Sequence, residues 1–178
     1  MRCPHRAPLF IFDTIKLMKI IAFDPGYERL GVAIMEKDSL GKEKVLHSEC
    51  FKTMAKEEHP VRLGQIAVRV SELLNEFSPS HMAIETLFFS KNTKTALKVA
   101  EARGVLLAMC AKEGLIVNEY SPQAIKVAVT GSGSSDKSQV LKMVQLITKI
   151  DLKNKIDDEI DAIAVGLTCF ANIKNIHR

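Results

Sequence analysis

The sequence predicts an α/β domain in which helices flank a mixed five-stranded sheet. Short apolar runs rich in β-branched residues end at turn residues, and they are interleaved with longer segments whose apolar residues recur at helical spacing. The chain of 178 residues has the usual size of one domain. We therefore expect a single domain over residues 18–178, preceded by an N-terminal extension, residues 1–17, that is disordered or arises from the choice of start codon.

Three strands open the predicted domain. The segments 19–23, 31–35 and 44–53 read as strands, and the polar stretch around Gly41 joins the last two as in a hairpin. The first strand ends at Asp24, where Pro25 and Gly26 break the apolar run. This order predicts an antiparallel meander with Asp24 at the end of a buried strand.

The remainder alternates helices with two further strands. We expect strands at 81–84 and 115–120, and helices at 61–77, 93–112, 136–150 and 158–173, with a short helix beginning at Pro122. The second half of helix 93–112 is apolar on nearly all sides, so this helix must bury two faces. One face can pack on the sheet, and Ala96, Ala100 and Gly104 would let the same helix of a second subunit approach closely. Burial under the last helix is the alternative.

The composition excludes several classes of protein. Apolar residues make up 47% of the chain, but none of its apolar runs approaches the roughly 18 residues of a membrane span. The net charge of +4 permits a polyanionic partner without demanding one. The four cysteines lie far apart, without the paired spacing of a zinc site or a disulfide framework. We expect a cytoplasmic protein with no membrane segment.

Four carboxylates are the candidate chemical site. Asp24 and Glu85 follow apolar strands, and Asp158 and Asp161 lie three residues apart on one face of a helix start. Singly, each has an ordinary explanation as a turn residue, a solvated acid or a helix-dipole partner. Together they would repel one another unless a hard cation such as Mg²⁺ or Mn²⁺ lay between them. Such a cluster suits hydrolysis of a phosphodiester.

Two local patterns leave alternatives open. Asp157 and Asp158 are adjacent, and either can share a helical face with Asp161; the apolar stripe that follows favours Asp158, with Asp157 as a helix cap. The glycine-rich segment 131–138 resembles a nucleotide-binding P-loop, but Asp136 occupies the place of its second glycine. The loop would instead form an anion site at a helix start, beside Lys137.

Several short motifs occur in an order that resembles one known family. They are Asp24-Pro-Gly with Gly31-Val-Ala, Ala83-Ile-Glu85 with Phe88-Phe-Ser-Lys-Asn92, Ala102-Arg-Gly104, the segment 131–140 (GSGSSDKSQV) and Asp158-Glu-Ile-Asp161-Ala-Ile-Ala. Their succession is similar to that of the RuvC-type Holliday junction resolvases, and it covers nearly everything from residue 18 to residue 170. The resemblance implies an RNase H-like fold, a homodimer and metal-dependent nicking of two symmetric strands that leaves 5′-phosphate and 3′-hydroxyl ends.

The resemblance also implies roles for individual residues and partners. Carried over by position, the ligands of two Mg²⁺ ions, which Mn²⁺ can replace, are Asp24, Glu85, Asp158 and Asp161. The implied DNA contacts are Phe88 as an unstacking aromatic and Lys91, Asn92, Lys126 and Lys137, of which the last two are also catalytic. The implied partners are four-way junction DNA and a branch-migration helicase complex of the RuvA and RuvB type.

Two other functions compete with this one. Another nuclease of the same fold, acting on RNA or on RNA/DNA hybrids, would use the same acids and metal ions. A non-catalytic nucleic-acid-binding module is the second alternative, although loss of the chemistry would have released at least one of the four acids, and all four are present.

Overall fold

The computed structural model describes residues 17–38, 40–87 and 93–173, with the backbone alone for 93–95. The expectation for the first sixteen residues lies outside this part of the chain. The elements are β1 (Met18–Asp24), β2 (Arg29–Lys37), β3 (Glu43–Lys52), α1 (His59–Phe77), β4 (His81–Glu85), α2 (Thr93–Lys112), β5 (Ile116–Tyr120), α3 (Pro122–Thr130), α4 (Lys137–Thr148) and α5 (Asp157–Asn172).

The five strands form one mixed sheet in the order β3-β2-β1-β4-β5. The antiparallel pairs are β1 with β2 and β2 with β3, whereas β4 runs parallel to both β1 and β5. The parallel strands are reached through helices, since a parallel pair needs a crossover connection. The predicted mixed five-stranded sheet is therefore confirmed.

The sheet is buried on both faces, as the continuous apolar runs of β1 and β2 require. Alternate residues of β1 enter different cores: Ile20 and Ala22 pack with α5, and Ile21 and Phe23 pack with α1 and α2. Helix α5 lies over the central strands, and nearly every residue from Ile160 to Phe170 is buried. This position sets the first turn of α5 above the carboxyl end of β1.

Helix α2 buries one face and leaves another open. Ala102, Leu106 and Cys110, spaced by four, are buried among residues of α1 and the sheet. Helix α5 packs on the opposite face of the sheet, so the alternative that α2 is covered by the last helix is wrong. Gly104 is exposed, and a methyl group added there would contact nothing.

Local signals explain the ends of α3 and α4. Pro122 opens α3 as predicted, with the Ser121 hydroxyl accepting from the backbone N–H of Ala124 at 3.1 Å. Helix α4 begins one residue later than expected, at Lys137, because Asp136 is its N-cap in a reciprocal capping box with Gln139. It ends two residues early, where Lys149 adopts a left-handed conformation.

Across the described ranges, no helix combines the length and the apolar character needed to cross a membrane.

Gly31 permits the closest approach between the sheet and α5. A Cβ at this position would lie 2.0 Å from the carbonyl oxygen of Asp158 and 3.1 Å from the Cβ of Asp24. Both distances are shorter than ordinary contacts, and the first involves backbone that cannot rotate away. A residue larger than glycine at position 31 would push the start of α5 off the sheet.

We expect Gly31→Ala to lower the free energy of unfolding by more than about 2 kcal/mol, because the added methyl collides with backbone. Denaturant unfolding of the purified protein measures the change. Gly64→Ala is the matched control: its methyl meets open space on α1, so we expect a gain of about 0.5–1 kcal/mol. Equal effects of the two substitutions would contradict the close approach.

Candidate metal centre

Asp24 and Glu85 occupy the carboxyl ends of neighbouring parallel strands. Asp24 is the last residue of β1, and Glu85 is the last residue of β4. The register pairs Phe23 with Ile84, which sets the two acids side by side at one edge of the sheet. The strand order thus brings together two acids that are 61 residues apart in the chain.

The start of α5 adds two acids to the same place. Asp158 and Asp161 are both partly buried there, and the carbonyl of Asp158 rests on Gly31, opposite Asp24 in the β1–β2 pair. The guanidinium of Arg29 lies 3.4 Å from a carboxylate oxygen of Asp158. The structure therefore brings Asp24, Glu85, Asp158 and Asp161 to the same edge of the sheet, and their role as metal ligands stays a prediction.

The pKa values of three of these acids are raised because the acids are buried and close to one another. Burial, together with the charges of Asp161, Glu85 and Asp158, raises the pKa of Asp24 from 3.8 to about 7, against an opposing effect of Lys137. Burial likewise raises the pKa of Glu85, with a contribution from Asp161. Burial also raises the pKa of Asp161, although Lys137 opposes the shift. These acids resist ionisation in the absence of a cation.

Lys137 provides part of the missing positive charge. Its ammonium lies 3.2 Å from a carboxylate oxygen of Asp161 and 3.2 Å from one of Asp157. Among the described residues, no three acidic, histidine or cysteine side chains are already close enough to hold one ion. Asp161, Glu85 and Asp158 are near enough to Asp24 to act on it electrostatically, without the described side chains forming a closed ligand cluster.

The donor set fits a hard divalent cation. The site contains carboxylate oxygens and no histidine ligand, which is the chemistry that Mg²⁺ and Mn²⁺ prefer. A cleft of about 280 Å³ adjoins it, lined in part by Glu85, Asp161, Lys126 and Lys137. Acids and lysines thus share one cavity, with apolar walls from α3 and α4, as a phosphodiester substrate requires.

Two of the local expectations are wrong. Asp157 is not a helix cap: Ile156 occupies the N-cap position without a side-chain bond, and Asp157 is an exposed first-turn residue paired with Lys137. The start of α4 is not a free anion site, because the Asp136 carboxylate already accepts the backbone N–H of Gln139 at 2.9 Å. The capping carboxylate also excludes a P-loop here.

The sequence patterns gave no sign of a clamp, formed by Ser48, Lys155 and Glu159, that lies beside the acids. Glu159 is buried and accepts a hydrogen bond of 2.6 Å from the Ser48 hydroxyl of β3, and Lys155 contacts both of them. Burial opposes the ionisation of Glu159, but Lys155 and Ser48 outweigh it and hold its pKa below the usual value. The clamp ties the first turn of α5 to the sheet.

Arg29 and Cys50 were also missed. The Cys50 thiol lies 3.8 Å from the same Asp158 oxygen that Arg29 approaches. No local pattern could have found the thiol, because 108 residues separate it from Asp158. Three predicted DNA contacts, Phe88, Lys91 and Asn92, lie outside the described residues.

The sequence comparisons agree with one another. A family model described as "Crossover junction endodeoxyribonuclease RuvC" matches residues 20–169. The protein of that name from Moorella thermoacetica is 41% identical over 155 residues, which cover 87% of this chain and 92% of that protein. The one from Brachyspira hyodysenteriae is 39% identical over 150 residues, covering 84% of this chain and 92% of that protein.

Solved structures give the same answer. T. thermophilus RuvC in complex with a Holliday junction substrate superimposes with a TM-score of 0.79 at 34% identity, over 85% of this chain and 92% of that one. The yeast mitochondrial Holliday junction resolvase Ydc2 shares the fold, with a TM-score of 0.66 at 13% identity, over 86% and 78% of the two chains. The predicted RNase H-like fold is confirmed. The chain belongs to the RuvC family of crossover junction endodeoxyribonucleases.

Proposed function

We propose that this protein resolves four-way DNA junctions in recombination and repair by nicking two symmetric strands, leaving 5′-phosphate and 3′-hydroxyl ends. The observation that carries the proposal is the placement of four acids at the ends of β1 and β4 and at the start of α5, next to a cleft that Lys126 and Lys137 line. Nucleases of the RuvC family are metal-dependent. The T. thermophilus relative was solved with a Holliday junction as substrate.

In the proposed site, Asp24, Glu85, Asp158 and Asp161 hold two Mg²⁺ ions, for which Mn²⁺ can substitute. When bound, the ions activate water and stabilise the leaving oxygen. Asp24 becomes fully ionised as a ligand, which removes the energetic cost expressed by its raised pKa. The carboxylates fix where the cations lie, and they thereby fix which phosphodiester is cut.

The proposed contacts of Lys126 and Lys137 are with the phosphates of the cut strand. Both line the cleft that contains Glu85 and Asp161. Lys137 pairs with Asp161 in the metal-free protein, and a cation at the acids would release its ammonium toward the substrate. For the segment outside the described residues, we propose that Phe88 unstacks bases at the junction and that Lys91 and Asn92 bind its backbone.

We further propose a homodimer built on the open face of α2. Leu97, Gly104 and Ala108 are exposed on this face, and Ala100 beside them is partly buried. Leu97 alone is 63% exposed. Two copies paired through these small residues would present two metal centres, which matches a junction with two equivalent strands to cut.

The remaining proposals concern context. We propose a single domain over residues 18–178 preceded by an extension, a cytoplasmic location and cooperation with a branch-migration helicase of the RuvA and RuvB type. The absence of paired cysteine spacing supports a reducing compartment. Co-purification of the helicase subunits with the junction-bound protein tests the partnership.

We expect Asp24→Asn and Asp158→Asn each to lower Mg²⁺-dependent nicking of a labelled four-way junction at least about a hundredfold, since each removes a charged ligand. Junction binding in chelator should persist, because the basic surface is intact. Asp157→Asn is the matched control and should retain most activity. Comparison with matched duplex and RNA/DNA hybrid separates the junction enzyme from other nucleases of this fold. If Asp157→Asn were inactive and Asp158→Asn active, the assigned ligand would be wrong.

We expect Asp24→Asn to stabilise the metal-free protein increasingly as pH rises. The pKa of Asp24 is about 7 in the folded state against 3.8 as its ordinary value, so ionisation opposes folding from about pH 4 upward and the penalty levels off above pH 7. The full difference corresponds to at most about 4 kcal/mol. Denaturant unfolding in chelator at pH 4, 6 and 8 measures it. If the free energy of unfolding of wild type and variant changed with pH in the same way, ionisation of Asp24 would not destabilise the folded state.

We expect Gly104→Arg to halve the mass measured by light scattering at micromolar concentration, because a long charged side chain prevents close approach of two α2 helices. Paired nicks on one junction should become single nicks. Leu146→Arg, at a residue of α4 that is 68% exposed, is the matched control and should leave the mass unchanged. A wild-type protein that is monomeric under these conditions would contradict the dimer.

A further inference from the structure

A second cleft adjoins one of the four acids, Asp158. It has a volume of about 420 Å³, and its lining includes Tyr27, Arg29, Lys98 and Asp158. The cleft of Lys126 and Lys137 instead contains Glu85 and Asp161, and the two clefts have no residue in common. Acids of the proposed metal centre therefore line both clefts, so a strand whose phosphodiester rests on these acids can extend from one cleft into the other.

From this arrangement, and resting on the proposed function, we propose that the second cleft binds a backbone phosphate of the strand being cut, adjacent to the scissile one. Lys98 and Arg29 are the phosphate-binding residues, and Tyr27 positions Lys98. The ligand is thus a phosphodiester of the junction, held on the Asp158 side of the metal centre.

Lys98 is an uncompensated cation held in a defined position. Its ammonium lies 3.4 Å from the Tyr27 hydroxyl and 4.8 Å from the centre of the Tyr27 ring. Within the described part of the chain, no carboxylate forms an ion pair with it. An exposed lysine that is anchored by an aromatic ring and lacks an acidic partner is suited to bind an anion.

Tyr27 is itself fixed by a buried cation. The Arg62 guanidinium lies 4.1 Å from the ring centre, is only 5% exposed, and donates from Nε to the Thr53 hydroxyl at 2.8 Å. The described residues offer Arg62 no carboxylate partner either. Two positive charges without a carboxylate partner among the described residues therefore flank one tyrosine at the wall of the cleft.

Arg29 becomes available when the metal centre fills. Its guanidinium pairs with Asp158 through Nε at 3.4 Å, and its side chain is 57% exposed. Asp158, if it held a cation, would no longer need Arg29 for its neutralisation. The guanidinium would then be available to bind a phosphate oxygen in the same cleft, where Glu28 is the other acid of the lining.

The test compares full-length wild type, Lys98→Gln and Arg29→Gln for binding to a four-way junction in chelator between 50 and 300 mM salt. Loss of one phosphate contact lowers the slope of log affinity against log salt by about 0.9. We expect this reduction, and about fivefold weaker binding at intermediate salt, for Lys98→Gln. Arg29→Gln should change binding less in chelator, where its guanidinium is still paired, and should raise the KM for the junction in Mg²⁺.

Lys112→Gln is the matched control, because Lys112 is exposed in the last turn of the same helix. It should retain the wild-type slope. Thermal unfolding of each variant separates a lost contact from a lost fold, since an exposed lysine should not alter the melting temperature.

Single methylphosphonate groups along the incised strand locate the contact. We expect a methylphosphonate at one position beside the cut to lower the affinity of the wild-type protein. The same methylphosphonate should not lower the affinity of Lys98→Gln, because this variant has already lost the contact. An unchanged salt slope for Lys98→Gln, or an additive loss at every position, would overturn the inference. If wild type binds and nicks the junction in that case, the proposed function stands; if wild type neither binds nor nicks, the proposed function itself fails.

Discussion

Mutual repulsion among four carboxylates at one edge of the sheet is the constraint on which the rest of this structure depends. Like charges a few ångströms apart in a partly buried site raise the free energy of the folded state until a cation joins them. At Asp24 burial adds to the repulsion from the other three acids, and the two effects together raise its pKa to about 7. The rest of the fold must contribute enough free energy of folding to offset the unfavourable placement of these carboxylates.

The supporting structure meets this constraint mainly with apolar contacts. Helix α5 carries two of the acids near its start, and its following residues are buried on the sheet almost without interruption. Gly31 lets the first turn of α5 approach β2 at backbone distance. Arg29 pairs with Asp158 and Lys137 pairs with Asp161, so each cation neutralises part of the acidic charge.

Much of this could be read from the sequence, for identifiable reasons. Strand ends and helix starts are marked locally, by Pro25 after β1 or Pro122 in α3, and the order of elements then dictates which edge the acids share. The expectations that were wrong concern which side chain binds a given backbone group. At the start of α4, for example, the Asp136 carboxylate accepts the backbone N–H that we expected to bind an anion. What was missed, including the contact of Ser48 with Glu159, joins residues 111 positions apart, and no periodicity encodes such a pair.

The link between Glu159 and β3 bears on how this enzyme family can be recombined by protein engineers. Because Ser48 and Lys155 hold the first turn of α5 in position through Glu159, the acidic segment cannot be transferred to another protein without its partner strand. A chimera that received α5 from a relative while keeping its own β3 would inherit the two acids of α5, which are the proposed metal ligands, and would lose the contact with β3 that positions them. Functional grafts of this segment would have to exchange the strand and the helix as one unit.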